Sequence, residues 1–97
     1  MHNTGIKPQV LEEIKEYARK NNLHKVVLFG SRTRGDYHRA SDIDLAVCGG
    51  DIAGFSLDVR ENTSTLLEFD VVDLEQNLQK NFLESIEREG IVLYEKV

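Results

Sequence analysis

The stretch Gly30–Asp44, GSRTRGDYHRASDID, decides how this chain is read. It joins two short apolar runs, Val26–Phe29 before it and Ile43–Cys48 overlapping its end. Each run has the length and the Val, Leu and Ile content of a buried strand. The polar residues between them, rich in Arg and Gly, read as a loop with room for one helical turn after Ser31. Side chains alternate along a strand, so residues two apart share a face. Asp42 and Asp44 therefore point to one side, about 7 Å apart at the rise of an extended chain. Ile43, Leu45 and Val47 point to the other side, toward a core.

Two carboxylates on one face repel each other unless a cation sits between them. Mg²⁺ takes hard oxygen ligands, typically one or two carboxylates completed by substrate phosphates. Two such ions about 3.5–4 Å apart can clamp the attacking and leaving oxygens of a phosphoryl displacement. Taken alone, an Asp-x-Asp at a strand start is also a common turn or cap pair, and Gly-Ser a common turn. Their combination says more. Gly30 lets the backbone come close to a ligand. Ser31 offers a hydroxyl and an N–H to a phosphate oxygen, and a short helix opening there would present its N-terminus to an anion.

The rest of the chain supplies a platform. Pro8 suits the first turn of a helix, and Val10, Leu11, Ile14, Tyr17 and Ala18 follow a helical period that Asn21 and Asn22 end. Gly49-Gly50 closes the second strand. Ile52, Phe55, Val59, Asn62 and Leu66 predict a helix over 52–67. Phe69–Leu74 predicts a strand. Leu78, Phe82, Leu83 and Ile86 mark a last helix with Gly90 as its C′ residue, and Ile91–Tyr94 a last strand. The expected fold is α/β of the α+β type, a small mixed sheet of about four strands with helices packed against it. Met1–Lys7 is expected to be a flexible tail.

With 97 residues the chain is expected to be one domain, burying about two-thirds of its unfolded surface. It leaves no room for a separate acceptor-binding domain, so a large acceptor would be met through a partner chain or a second copy. A net charge of −5 counts against a general nucleic-acid binder. The one cysteine, Cys48, excludes an internal disulfide and reads as a small buried hydrophobe. No apolar run approaches the roughly 20 residues that span a bilayer, and the N-terminus lacks a signal-peptide core. A cytoplasmic protein is expected.

Gly-Ser, ten residues (Arg32–Ser41) and Asp-x-Asp is the pattern of the DNA polymerase beta-like nucleotidyltransferase superfamily. Phe29–Arg32, Gly35-Asp36, Ser41–Val47, Phe69–Leu74 and Gly90–Tyr94 together resemble the minimal nucleotidyltransferases of bacteria and archaea, over roughly residues 8–95. The resemblance implies a nucleotidyltransferase fold and a third carboxylate on a neighbouring strand. Asp70 and Asp73 are the candidates and face opposite sides of a regular strand; the resemblance places the role at Asp70, and Glu68 is a weaker third choice. It further implies that Asp42 and Asp44 hold a metal carrying the triphosphate, that all three carboxylates hold a second Mg²⁺, and that Asp70 takes the acceptor's proton. Gly30 and Ser31 would hold the β- and γ-phosphates.

Arg32 and Arg34 read either as phosphate contacts or as solvated loop residues balancing an acidic site; Arg39 and His38 read as surface. By resemblance to the antitoxin-type nucleotidyltransferases of HEPN/MNT modules, the donor is an NTP, ATP by expectation. The acceptor is then a hydroxyl on a helical HEPN-type partner, or the chain forms a homo-oligomer. The alternative is a module that neutralises its partner by contact, with the site kept for nucleotide binding or decayed.

Overall fold

A computed structural model describes residues 4–97 of the chain. Pro8 opens α1 (Pro8–Lys20), whose apolar stripe Val10, Ile14 and Ala18 is buried. Then follow β1 (Lys25–Phe29), α2 (Ser31–Arg34), β2 (Ile43–Cys48), α3 (Ile52–Asn62), β3 (Phe69–Asp73), α4 (Lys80–Glu89) and β4 (Ile91–Glu95). The strands form one mixed sheet in the order β3-β2-β1-β4. β1 runs antiparallel to both β2 and β4, while β2 and β3 are parallel. A parallel pair needs a crossover connection, and α3 supplies it.

Alternation sorts the strand residues onto two faces. Val26 and Leu28 of β1 and Ile43, Leu45 and Val47 of β2 join α1 and α3 in the larger core. Val27 and Ala46 face the other way and pack with Ile86 of α4, beside Phe29, Leu74 and Phe82. Asp44 lies between Ile43 and Leu45, so it belongs to this second, thinner face.

The structure departs from expectation in three places. Ile6 is buried and part of the larger core, and Thr4 is buried with it, so this part of the expected tail is packed; Met1–Asn3 lie outside the described residues. The helix expected to reach residue 67 ends at Asn62, and Leu66 is fully exposed. Hydroxyl side chains compete for the backbone there: Thr63 Oγ1 donates to Val59 O at 2.8 Å, and Leu67 N–H donates to Thr65 Oγ1 at 3.1 Å. Ser64 is drawn to Glu13 of α1 by its N–H at 2.8 Å and its hydroxyl at 2.6 Å. Third, Gly90 does not take a left-handed C′ conformation. It is extended (φ −70°, ψ 148°) with its N–H on Ile86 O. Glycine is needed there for closeness, since a Cβ would lie 2.5 Å from Val27 Cγ1.

Candidate active site

At the end of β1 the chain turns sharply at Gly30, whose φ of 84° and ψ of −155° are open essentially to glycine alone. Phe29 pairs with Asp44 across the β1–β2 ladder. The turn therefore brings Gly30 against the Asp44 carboxylate, and a Cβ at residue 30 would collide with Asp44 Oδ2. Ser31 then starts α2, a single turn secured by Thr33 N–H and Oγ1 on Gly30 O at 3.1 and 2.8 Å. Gly35, in the left-handed conformation at φ 87°, ends it.

The loop from Gly35 to Asp42 is held from below by Arg32. This side chain is 2% exposed. Its Nε and Nη2 donate to Ser41 O at 3.2 and 2.8 Å, Nη2 reaches Arg39 O at 3.4 Å, and Nη1 donates to Thr4 O at 2.9 Å. Its guanidinium also stacks on the Tyr37 ring, 5.0 Å from the centroid. The guanidinium fork is thus spent on carbonyls of the loop and of the N-terminal segment, and it fixes Ser41 directly before Asp42. That is neither of the two placements the sequence left open for Arg32, a phosphate contact or a solvated loop residue. Arg34 stays exposed at the end of α2 and pairs with Asp36 and Glu89 at 3.4 and 3.3 Å.

Asp42 is exposed just before β2, and Asp44 is half-buried on its second residue. Parallel pairing sets Asp44 directly beside Asp70 of β3, and paired residues of neighbouring strands share a face. Asp73 pairs with Val47, whose side chain is in the larger core, and its Oδ1 accepts the Glu75 N–H at 2.8 Å in the turn after the strand. The geometry thus separates the two candidates that alternation left open: Asp70 stands with Asp44, and Asp73 does not. Glu68 is exposed ahead of the strand.

The Asp44 carboxyl is raised above its ordinary pKa, first by burial, then by the charges of Asp70 and Asp42; Arg34 and Arg32 act in the opposite direction. Among the described residues, no lysine, arginine or histidine forms an ion pair with Asp42, Asp44 or Asp70. Nor do three acidic, histidine or cysteine side chains among those residues already converge as a closed ligand set. Carboxylate oxygens are hard donors of the kind that hold a divalent cation together with substrate phosphates.

Asp42 and Asp44 line an open cleft of about 530 Å³ together with Ser31, His38, Ala40 and Ser41. That volume lies in the range of small-molecule sites. Ser41 had no assigned role in the sequence, yet its Oγ accepts the His38 N–H at 2.8 Å and its carbonyl holds Arg32. Its position next to Asp42 was the only signal for it.

The Gly-Ser turn and its one-turn helix stand at an open cleft that Ser31, Asp42 and Asp44 line, with Asp70 paired to Asp44 on the neighbouring strand. Residues 12–97 match the family described as "Polymerase beta, Nucleotidyltransferase", and the chain belongs to it: it is a nucleotidyltransferase. It is 33% identical over 84 residues to a Methanocaldococcus jannaschii protein named for protein adenylyltransferase activity, covering 77% of this chain and 82% of the relative. A second protein of that organism with the same name is 40% identical over 45 residues, a match spanning 40% of this chain and 46% of the relative's length. A chain from the crystal structure of a toxin–antitoxin with AMP-PNP superposes with a TM-score of 0.71 at 26% identity, over 89% of this chain and 73% of that one. A nucleotidyltransferase from Sulfolobus solfataricus, 20% identical, shares the fold at a TM-score of 0.51 over 99% of this chain and 91% of its own.

Proposed function

We propose that this chain is a Mg²⁺-dependent adenylyltransferase that moves AMP from ATP to a hydroxyl on a partner protein, as the antitoxin-like half of a two-gene module with a helical partner. The observation that carries this reading is the pairing of Asp44 with Asp70, Asp44 lining one cleft with Asp42 and Ser31. The adenylyl specificity draws on the names of the Methanocaldococcus relatives. The module draws on the toxin–antitoxin neighbour and its AMP-PNP.

Asp42 and Asp44 would hold the ion that accompanies the triphosphate, and the two with Asp70 a second one. When bound, the metal neutralises phosphate charge and makes the acceptor hydroxyl more acidic. Gly30, with no side chain, and Ser31, with its hydroxyl and N–H, hold the β- and γ-phosphate oxygens at the head of α2. Arg34 adds positive charge at the far end of that turn. Arg32 takes no phosphate; it fixes the loop that sets Asp42. Asp70 accepts the acceptor's proton as its oxygen bonds to the α-phosphorus, and the bond to the β-phosphate oxygen breaks with pyrophosphate leaving. Most of the acceleration comes from positioning and charge neutralisation.

The test is transfer of label from each α-labelled NTP in the presence of Mg²⁺, with and without the product of the neighbouring gene, beside an Asp42→Asn/Asp44→Asn double variant. Label from ATP that reaches the partner and vanishes in the variant supports the reading. No transfer under any condition, with a partner complex indifferent to the double substitution, sinks it in favour of a contact-only module.

A further inference from the structure

β3 is the outermost strand of the sheet on the side of the carboxylates. Its backbone groups alternate in direction. Glu68 C=O accepts from Ile43 N–H at 2.9 Å and Leu74 N–H donates to Val47 O at 2.8 Å, so Glu68, Asp70, Val72 and Leu74 turn their main chain toward β2. Phe69, Val71 and Asp73 turn theirs outward. Among the described residues, no hydrogen bond outside the ladder uses the main chain of Phe69 or Val71. Unpaired N–H and C=O groups along a sheet edge are a template for another extended segment; here they belong to Val71, which is half-buried, and Phe69, which is 6% exposed. Asp70 lies between Phe69 and Val71 in sequence, its main chain turned to β2 and its side chain on the face that carries Asp44.

The edge also has a sign. Residues 61–79 hold five carboxylates, Glu61, Glu68, Asp70, Asp73 and Glu75, and no lysine or arginine. Phosphate backbones are repelled here, and a basic polypeptide is attracted.

We infer that the acceptor docks as an extended, basic polypeptide segment added to the outer edge of β3, with its hydroxyl residue directly opposite Asp70. This rests on the protein-acceptor reading above and names how that acceptor is recognised. Main-chain bonds to Phe69 and Val71 fix the register. The residue opposite Asp70 then lies on the same face, with its Cβ about 4.5–5.5 Å from that of Asp70. A Ser, Thr or Tyr oxygen at that position can give its proton to Asp70 while it bonds to the α-phosphorus and pyrophosphate departs. The acceptor's own fold is irrelevant beyond its ability to present such a strand.

Four probes test this with the full chain, Mg²⁺ and α-labelled ATP: a lysine-rich, β-branched peptide with one central Tyr, its glutamate-for-lysine counterpart, an alanine-rich helical peptide with the same Tyr and lysines, and a single-stranded RNA with free hydroxyls. The basic extended peptide is expected to take label at least about tenfold faster than the helical one, a margin of roughly 1.4 kcal/mol. Glu75→Lys should weaken transfer to the basic peptide about fivefold, the upper end for one exposed charge contact, and favour the acidic one.

Amide exchange gives a second readout. With the basic peptide and a non-hydrolysable ATP analogue, the Phe69 and Val71 amides should become protected while those of Asp70 and Val72 do not change. Equal labelling of extended and helical peptides, preference for RNA, or protection without that alternation overturns the docking inference alone. Absence of transfer to every probe and to the neighbouring-gene product overturns it together with the reading it rests on.

Discussion

On the face of the sheet that meets α1 and α3, the buried core among the described residues runs to thirteen side chains; on the face that meets α4 it comprises Val27, Ala46 and Ile86. The first face is one continuous cluster, with Ile14, Leu28, Ile43, Leu45 and Phe55 all fully buried. The second mixes a small apolar patch with Asp44, a carboxylate held in partly buried surroundings against its own preference. The larger core lies on one side of the sheet, and the proposed chemistry on the other. β2 belongs to both: alternate residues anchor it in the core and aim acid at the cleft.

The largest expected effect is on the core side. Phe55→Ala should cost about 3–5 kcal/mol of unfolding free energy, read from urea denaturation. Phe82→Ala removes a partly exposed ring that meets Phe29 edge-on at 5.6 Å, and should cost nearer the average of about 1 kcal/mol. Equal losses would break the division between faces.

Next comes the acid side. Asp44→Asn should lower transfer at least about a hundredfold, as removal of a charge-stabilising group does. Its metal-free midpoint of unfolding should hold or rise, because the substitution relieves burial of a charge beside Asp70 and Asp42. A large fall in the midpoint would mean that the carboxylate supports the fold.

Arg32 tests the seam between the two. Arg32→Lys keeps a charge but cannot reach Ser41 O, Arg39 O and Thr4 O together. It should cost about 1–3 kcal/mol for carbonyls left unpaired, and raise the Mg²⁺ concentration for half-maximal activity by loosening Asp42. Unchanged Mg²⁺ dependence with a lowered midpoint would make Arg32 purely structural.

Smallest is an effect of pH confined to the core side. The Asn21 amide, then Lys20 and Asn62, hold the Asp58 carboxyl below its ordinary pKa, against the opposing pull of burial. A depressed folded pKa gives stability that is present above the unfolded value near 3.8 and lost as pH falls through the folded one. Acid titration of the midpoint should therefore fall less steeply in Asp58→Asn than in the native chain; parallel curves would remove Asp58 from the account.

Much of this was legible in the sequence because it depends on short-range pattern. The four strands and the one-turn helix after Ser31 lie where apolar runs and Gly-Ser place them. Alternation placed Asp44 on the face opposite Ile43 and Leu45, while Asp42 lies just ahead of β2. What escaped depends on distant contacts. The fate of Arg32 is decided by carbonyls at Thr4 and Ser41, 28 and 9 residues away, and a buried guanidinium looks in sequence like any loop arginine. Ile6 reads as tail until the core that receives it exists. Leu66 kept a helical period by coincidence, overridden by hydroxyls at Thr63, Ser64 and Thr65. The strand's own pattern left Asp70 and Asp73 open and only the resemblance chose Asp70; the register sets Asp70 beside Asp44.

The proposed mechanism divides the labour: Asp42 and Asp44 would serve the nucleotide, and Asp70 the acceptor. Asp70→Asn tests it most directly, with Mg²⁺–ATP binding and single-turnover transfer to the neighbouring-gene product measured on the same preparation. ATP affinity is expected to stay within about twofold of the native chain, with transfer reduced at least about a hundredfold. Native-like transfer, or a loss of transfer matched by an equal loss of ATP affinity, would contradict it.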